Sequence, residues 1–208
     1  MKLSLLVLLT TFLSGCVSNT VDLAYRPEAG RPSPLSVIKP LVFAVEVDDR
    51  RDVKDRDRVA ARWHGMAGET PITATRDVVL VLKEALTAEL ENNGHRVRPR
   101  EDASADAALR FLLTRYWCCE MRILGSFESG HIAATIQGNV EILNAQNERL
   151  MSKPISSTHL SVPSRQQLGF DVMLNGVLAE FVRNLARDPS MVDALRRVQR
   201  EHQEISQP

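Results

Sequence analysis

Cysteine is scarce in this chain of 208 residues: there are three, Cys16 and the adjacent pair Cys118 and Cys119. That spacing supplies no Cys-x-x-Cys metal knuckle, and two adjacent sulfurs offer too few well-placed ligands for zinc. His64, His95, His131, His159 and His202 are scattered, with no His-Glu-x-x-His pair among them. Aromatic residues are only 5% of the chain, which argues against a base-stacking platform or an aromatic-lined carbohydrate site. The 26 basic and 26 acidic residues cancel, so no overall field favours nucleic acid. Gly-x-Ser-x-Gly is absent, and "GSFESG" has its glycines and serines at the wrong offsets for a nucleophile elbow. Neither phosphate-cradling glycine pattern occurs. No internal repeat is visible, and after the N-terminus no stretch is long and apolar enough to span a membrane. The chain is therefore expected to be no enzyme, with no cofactor, no metal and no nucleic-acid partner.

The one apolar run opens the sequence. Met1-Lys2 gives a positive charge, Leu3 to Phe12 is mostly Leu, Val and Thr, and Leu13-Ser14-Gly15-Cys16 follows. A charged start, a short apolar stretch and a small-residue end describe a secretory signal, residues 1–15, well short of the ~20 residues of a spanning helix. Leu-Ser-Gly-Cys resembles the lipobox of bacterial lipoproteins. The resemblance implies cleavage before Cys16, a diacylglycerol on its thiol and an acyl chain on the new amine. Each buried methylene contributes ~0.8 kcal/mol, so three chains anchor a domain where one would not. Val17, rather than Asp, follows the cysteine, which by the same resemblance implies the inner leaflet of the outer membrane, facing the periplasm. Residues 16–40 carry Pro27, Gly30, Pro32, Pro34 and Pro40 and read as the lipidated cysteine followed by a flexible linker. Such a tether would lift a domain off the lipid surface.

Residues 41–208 read as a single domain. Leu41 to Val47 has the apolar, β-branched character of a buried strand. Asp48 to Arg58 holds five Asp against four Arg and one Lys; without an acidic excess or a turn glycine it is a self-paired loop rather than a calcium site. The loop is expected to continue through Trp63, Gly65 and Gly68 to Pro71, with Asp48, Asp49, Arg50 and Trp63 as a candidate interaction surface. A helix is predicted from an N-cap at Thr75, with Asp77 in its first turn, Val78, Val79, Leu82, Ala85, Leu86 and Leu90 on one face, and Asn92-Asn93-Gly94 as its stop. His95 to Arg98 is a short strand. Three long strands follow: Ala107 to Tyr116, His131 to Leu143 with strict apolar–polar alternation, and Arg149 to Val162, which Pro154 marks as an edge or a bulge. "NAQNE" turns the last hairpin. A helix is predicted from a Ser164–Gln167 capping box, with Phe170, Leu174, Val177, Leu178, Phe181 and Leu185 as its stripe, and a shorter one from Met191 to Gln203. This order predicts an α+β two-layer sandwich, a mixed and largely antiparallel sheet with helices on one face.

"VEVDDR", "TRDVVLVLKEALTAELENNGHRV", "ALRFLLTRY" and a helix ending in "ARDPSMVDAL" resemble the YajG-like family of bacterial outer-membrane lipoproteins across Leu41 to Leu195. The resemblance implies a fold and a location and transfers no catalytic residues. Two function classes follow. One is a lipid-anchored, non-catalytic interaction or accessory module of an envelope machine, with the membrane and an envelope protein as partners. The alternative is a carrier or chaperone for a lipid-like amphiphile, which requires an apolar chamber. In an oxidising periplasm Cys118 and Cys119 could bond to each other, stay free, or bridge two molecules. Neighbours on a strand point to opposite faces, so at least one thiol is expected to be buried as a small hydrophobe.

Overall fold

A computed structural model describes residues 19–28, 33–54, 56–63, 68–99, 105–121, 131–161 and 169–205. The element at its centre is β6 (Ala107–Met121), an extended run that pairs antiparallel along its whole length with β7 (His131–Asn144). β7 pairs in turn with β8 (Arg149–Ser161). This is the predicted meander. Asn144 closes its second turn by accepting hydrogen bonds from the backbone of Gln146 (3.1 Å) and Glu148 (2.9 Å), while Asn147 takes a φ of 63°. β8 pairs with β7 alone, so Pro154 sits on an edge strand where its missing N–H costs no ladder bond.

The other edge of β6 is shared. β2 (Val42–Asp49) runs parallel to its first half, from Phe43 opposite Ala107 to Asp49 opposite Leu113. β3 (Arg58–Trp63) continues on that edge, with Ala60 opposite Cys118. β5 (Arg96–Arg98) lies parallel on the outer side of β2, and α1 (Val78–Asn92) joins β2 to β5 by way of the β3–β4 hairpin, giving the expected parallel pairing. α1 begins at Asp77, whose carboxylate accepts from the Val79 N–H at 2.7 Å, two residues beyond the predicted cap at Thr75. It stops at Asn93, after which Gly94 adopts φ 88°, open to glycine at no steric cost.

α1, α2 (Phe170–Ala186) and α3 (Pro189–Ile205) cover one face of the sheet. The predicted Ser164–Gln167 capping box lies outside the described residues; the described helix has Gly169 at its N-cap. From Leu174 to Leu185 its apolar stripe is buried, Phe170 at its start is partly buried, and Phe181 meets Phe111 of β6 with ring centroids 4.8 Å apart. On β6 the buried positions change phase. Leu109, Phe111 and Leu113 face the helices, then Tyr116 and Cys118 do, because Thr114 is an extra residue bulged between Leu113 and Arg115. The Thr114 hydroxyl donates to the Gln137 carbonyl (3.2 Å). Opposite the bulge stands Gly138, where a Cβ would fall 2.4 Å from both the Phe111 ring and the Leu112 carbonyl. Only glycine lets the two strands approach there.

Two sequence expectations are corrected. The span Asp48–Pro71 is not one long loop: β2 runs through Asp49, and β3 and β4 (Glu69–Ala74) form an antiparallel hairpin, Trp63 opposite Glu69. And residues 19–28 and 33–40, read as linker, pack onto the domain. β1 (Thr20–Val21) pairs parallel with Thr73 and Ala74 of β4. The Asn175 side chain on α2 accepts from Ala24 N–H (2.9 Å) and donates to the Asp22 carbonyl (3.0 Å). Tyr25 donates to Glu89 (2.6 Å), Arg183 pairs with Glu28, and Ser33 donates to Asn93 (2.7 Å). A 3-10 turn at Pro34–Val37 then buries Leu35 completely, as Leu23 is buried before it. Proline set the backbone of this segment, but its interspersed leucines decided where it lies.

Candidate functional site

On the face away from the helices, β2, β6, β7 and β8 carry charges that fall into register. Glu46 stands opposite Arg110, and Arg110 opposite Glu141. Arg110 Nε donates to Glu46 Oε2 at 3.1 Å and its Nη1 lies 3.6 Å from Glu141 Oε2; Arg149 Nη1 reaches Glu141 Oε1 at 3.2 Å. The result is a ladder of alternating sign, Glu–Arg–Glu–Arg, across four strands. Opposite charges directly across a strand pair support the register. The ladder lines one side of an open groove of about 940 Å³ that runs over the edge of β2 beyond β5, where Asp48 and Arg50 at the end of β2 and Val79 and Lys83 of α1 also line it. Its depth is graded. The Glu141 side chain is 10% exposed, whereas Arg149 at the rim is 63% exposed.

Of the residues singled out from sequence, Asp48 and Arg50 reach this groove, paired with each other at 2.6 Å. Asp49 does not. It points to the helix face, where Arg51 grips it with Nε (2.9 Å), Nη2 (2.8 Å) and backbone N–H (3.0 Å). Both side chains are buried, and the guanidinium also donates to the carbonyls of Arg56 and Arg58. Burial by itself would push the Asp49 carboxyl up, but the hydrogen bonds and charge of Arg51 outweigh it and hold the carboxyl below its ordinary range. This pair is a clasp that ties the end of β2 to Arg56 and Arg58 at the start of β3. Trp63 stands at the far end of β3 from the groove, and its side chain lies outside the described residues, as does Cys16. Sequence reading missed Glu46, Arg110, Glu141 and Arg149. The available signal was a lone charge at a solvent-phase position in each strand, uninformative until the strands are registered.

Cys118 and Cys119 are both free, on opposite faces of β6. Cys118 is fully buried, and burial, with the neighbouring Cys119 adding to it, pushes its thiol up to about 12. It is a packed small hydrophobe, as expected. Among the described residues no three His, Cys, Asp or Glu side chains converge as a metal would require. Between the sheet, α1 and α2 the apolar space bounded by Leu35, Leu86, Leu109 and Val182 is about 10 Å³, the size of one water.

The crystal structure of a protein from Xanthomonas campestris superposes with a TM-score of 0.56 at 14% identity, covering 88% of this chain and 96% of that one. It shares the fold. A lipoprotein from Neisseria meningitidis (TM-score 0.37, 12% identity, 80% of this chain and 100% of that one) and a minor lipoprotein from Acinetobacter baumannii (TM-score 0.41, 10% identity, 74% and 92%) are more distantly similar. No protein of curated function matches in sequence. The family described as "uncharacterized lipoprotein" matches residues 32–196. That span takes in β2 through the middle of α3, the whole of the sheet except β1, and it makes this chain a member of the YajG-like family of bacterial lipoproteins.

Proposed function

We propose that this chain is a lipid-anchored module of the outer membrane, facing the periplasm, that docks a protein partner in the charged groove and carries out no chemistry there. The observation that carries the reading is the Glu46–Arg110–Glu141–Arg149 ladder. Each carboxylate is engaged by a guanidinium, so the groove's acids serve as ion-pair partners rather than as proton-transfer groups. Its rim charges, Arg149, Arg50 and Asp48, remain exposed, and charges so placed steer encounter and fix register with a complementary surface. The rival reading, a carrier of an amphiphile, needs an apolar chamber. Among the described residues, the apolar space between Leu35, Leu86, Leu109 and Val182 has room for one water rather than an acyl chain.

Photocrosslinking in intact envelopes tests the docking reading. A photoreactive residue at position 50 or 149 is expected to give a discrete protein adduct that weakens when the opposite rim charge is reversed. The same probe at Arg197, on α3, is expected to give none. Equal labelling at all three positions would contradict the groove as the docking surface.

A further inference from the structure

The described chain is tied to the sheet from its first residue. The Asn19 carbonyl accepts from Thr73 N–H at 2.9 Å, and the Val21 carbonyl accepts from Thr75 N–H at 2.9 Å. With Asn175, Tyr25 and Glu28 holding the next residues, the N-terminal segment is fixed from Asn19 onward. Cys16 precedes Asn19 by three residues, and three extended residues reach at most ~11 Å. Because β1 is parallel to β4, the chain enters it from the side of Glu69, where β4 begins. That side is also where β6 ends and α2 starts. Its surface beside β1 is a shallow groove of about 250 Å³ bounded by Thr20, Arg62, Phe170 and Asp171. The Arg62 guanidinium lies 5.7 Å over the Phe170 ring, and Val172 is exposed. A cation on an aromatic face beside an exposed aliphatic side chain suits the headgroup layer of a bilayer.

We infer that the short tether holds this end of the domain, with Arg62, Phe170 and Val172, against the bilayer that carries the lipid on Cys16. The opposite end, with the Asn144–Glu148 turn, then points into the periplasm. Ala107 stands opposite Asn144 and the level of Thr20 corresponds to about Tyr116 on β6, so the turn lies roughly 30 Å further out along extended strand. The charged groove belongs to that outer half, since Arg110 and Glu141 sit near the start of β6 and the end of β7. The anchor thus presents the groove to partners. This inference rests on lipidation at Cys16.

The test uses the full-length, membrane-extracted protein with Cys119→Ser, reconstituted into vesicles of phosphatidylethanolamine and phosphatidylglycerol. An environment-sensitive fluorophore is placed on Val172→Cys or on Asn147→Cys, and a nitroxide-headgroup lipid is the quencher. Quenching is expected to be several-fold stronger at position 172. A Gly/Ser spacer of about 20 residues inserted after Ser18, with an r.m.s. reach of roughly 25 Å, is expected to remove that difference. Equal quenching without the spacer, or a difference that survives it, would overturn the tethered orientation. The mass of the N-terminal peptide, taken on the same preparation, separates the two readings. An unmodified Cys16 would show that the anchor itself is wrong, whereas a lipidated Cys16 with equal quenching would show that only the orientation is.

Discussion

Arg51→Ala is expected to lower the unfolding free energy of the domain by about 3–5 kcal/mol, because it leaves the buried Asp49 carboxylate without its partner. The two side chains are 3% and 2% exposed, so water cannot replace the lost guanidinium. The substitution also frees the carbonyls of Arg56 and Arg58 and releases the segment between β2 and β3. Asp49→Leu combined with Arg51→Met removes both charges and is expected to recover much of the loss, as replaced buried pairs often do. Acid unfolding gives an independent reading. Asp49 has a folded pKa below its ordinary 3.8, so its contribution is full above that value and disappears as pH falls through the lower folded pKa. His95 adds an earlier step: burial lowers its pKa from 6.5. It is held neutral in the fold, with Nδ1 accepting from Leu41 N–H at 3.3 Å, and its contribution is complete above pH 6.5 and erodes as pH falls below it. In Arg51→Ala the Asp49 part of the acid step should be lost, since burial alone pushes that carboxyl up; the part from Asp188, which the hydrogen bond and charge of Lys153 hold below its ordinary range against burial, and the His95 step should persist. Urea titrations of the domain from Asn19 onward, repeated across pH, measure both. An unchanged midpoint in Arg51→Ala would show that the clasp contributes nothing.

Leu178→Ala is expected to cost about 2–5 kcal/mol, the range for emptying a buried leucine site. Leu178 is fully buried in the middle of the α2 stripe, with Leu174 and Phe181 one turn to either side. Arg183 on the same helix is a control. Its ion pair with Glu28 is more than a third exposed on each side, and such pairs contribute about 1 kcal/mol or less. Urea midpoints of the two variants should therefore separate widely. Equal midpoints would mean that the helix presents a different face to the sheet.

The α2 stripe and the alternation along β7 were legible in sequence because each is long and each buries one face, so a single period dominates. The β3–β4 hairpin was not. Arg58 and Arg62 bracket a short apolar run, and Pro71 argues against a strand. Pro71 is tolerated because β1 pairs only with Thr73 and Ala74, which leaves that stretch of β4 at an edge. The docking of residues 19–28 and 33–40 was hidden for a different reason. Proline reports backbone stiffness, not attachment, and the contacts that hold the segment come from Asn175, Glu89 and Asn93, distant in sequence. Asp49 shows the limit of reading charge runs. It is one of five aspartates between Asp48 and Arg58, and only the helix-ward phase of β2 sets it apart from the exposed Asp48. The charged groove depends on register between four strands, which no single segment encodes.

Cys16, the proposed membrane anchor, stands three residues before Asn19, the first described residue to pair with the sheet. The most direct test of that anchor is mass spectrometry of the N-terminal peptide from the mature protein, extracted from cells fed a clickable fatty acid. The predicted result is a peptide that begins at Cys16, carries acyl chains on its thiol-linked glycerol and its amine, and loses the label in Cys16→Ser. A mature chain that begins at another residue, or a label retained equally in Cys16→Ser, would contradict it.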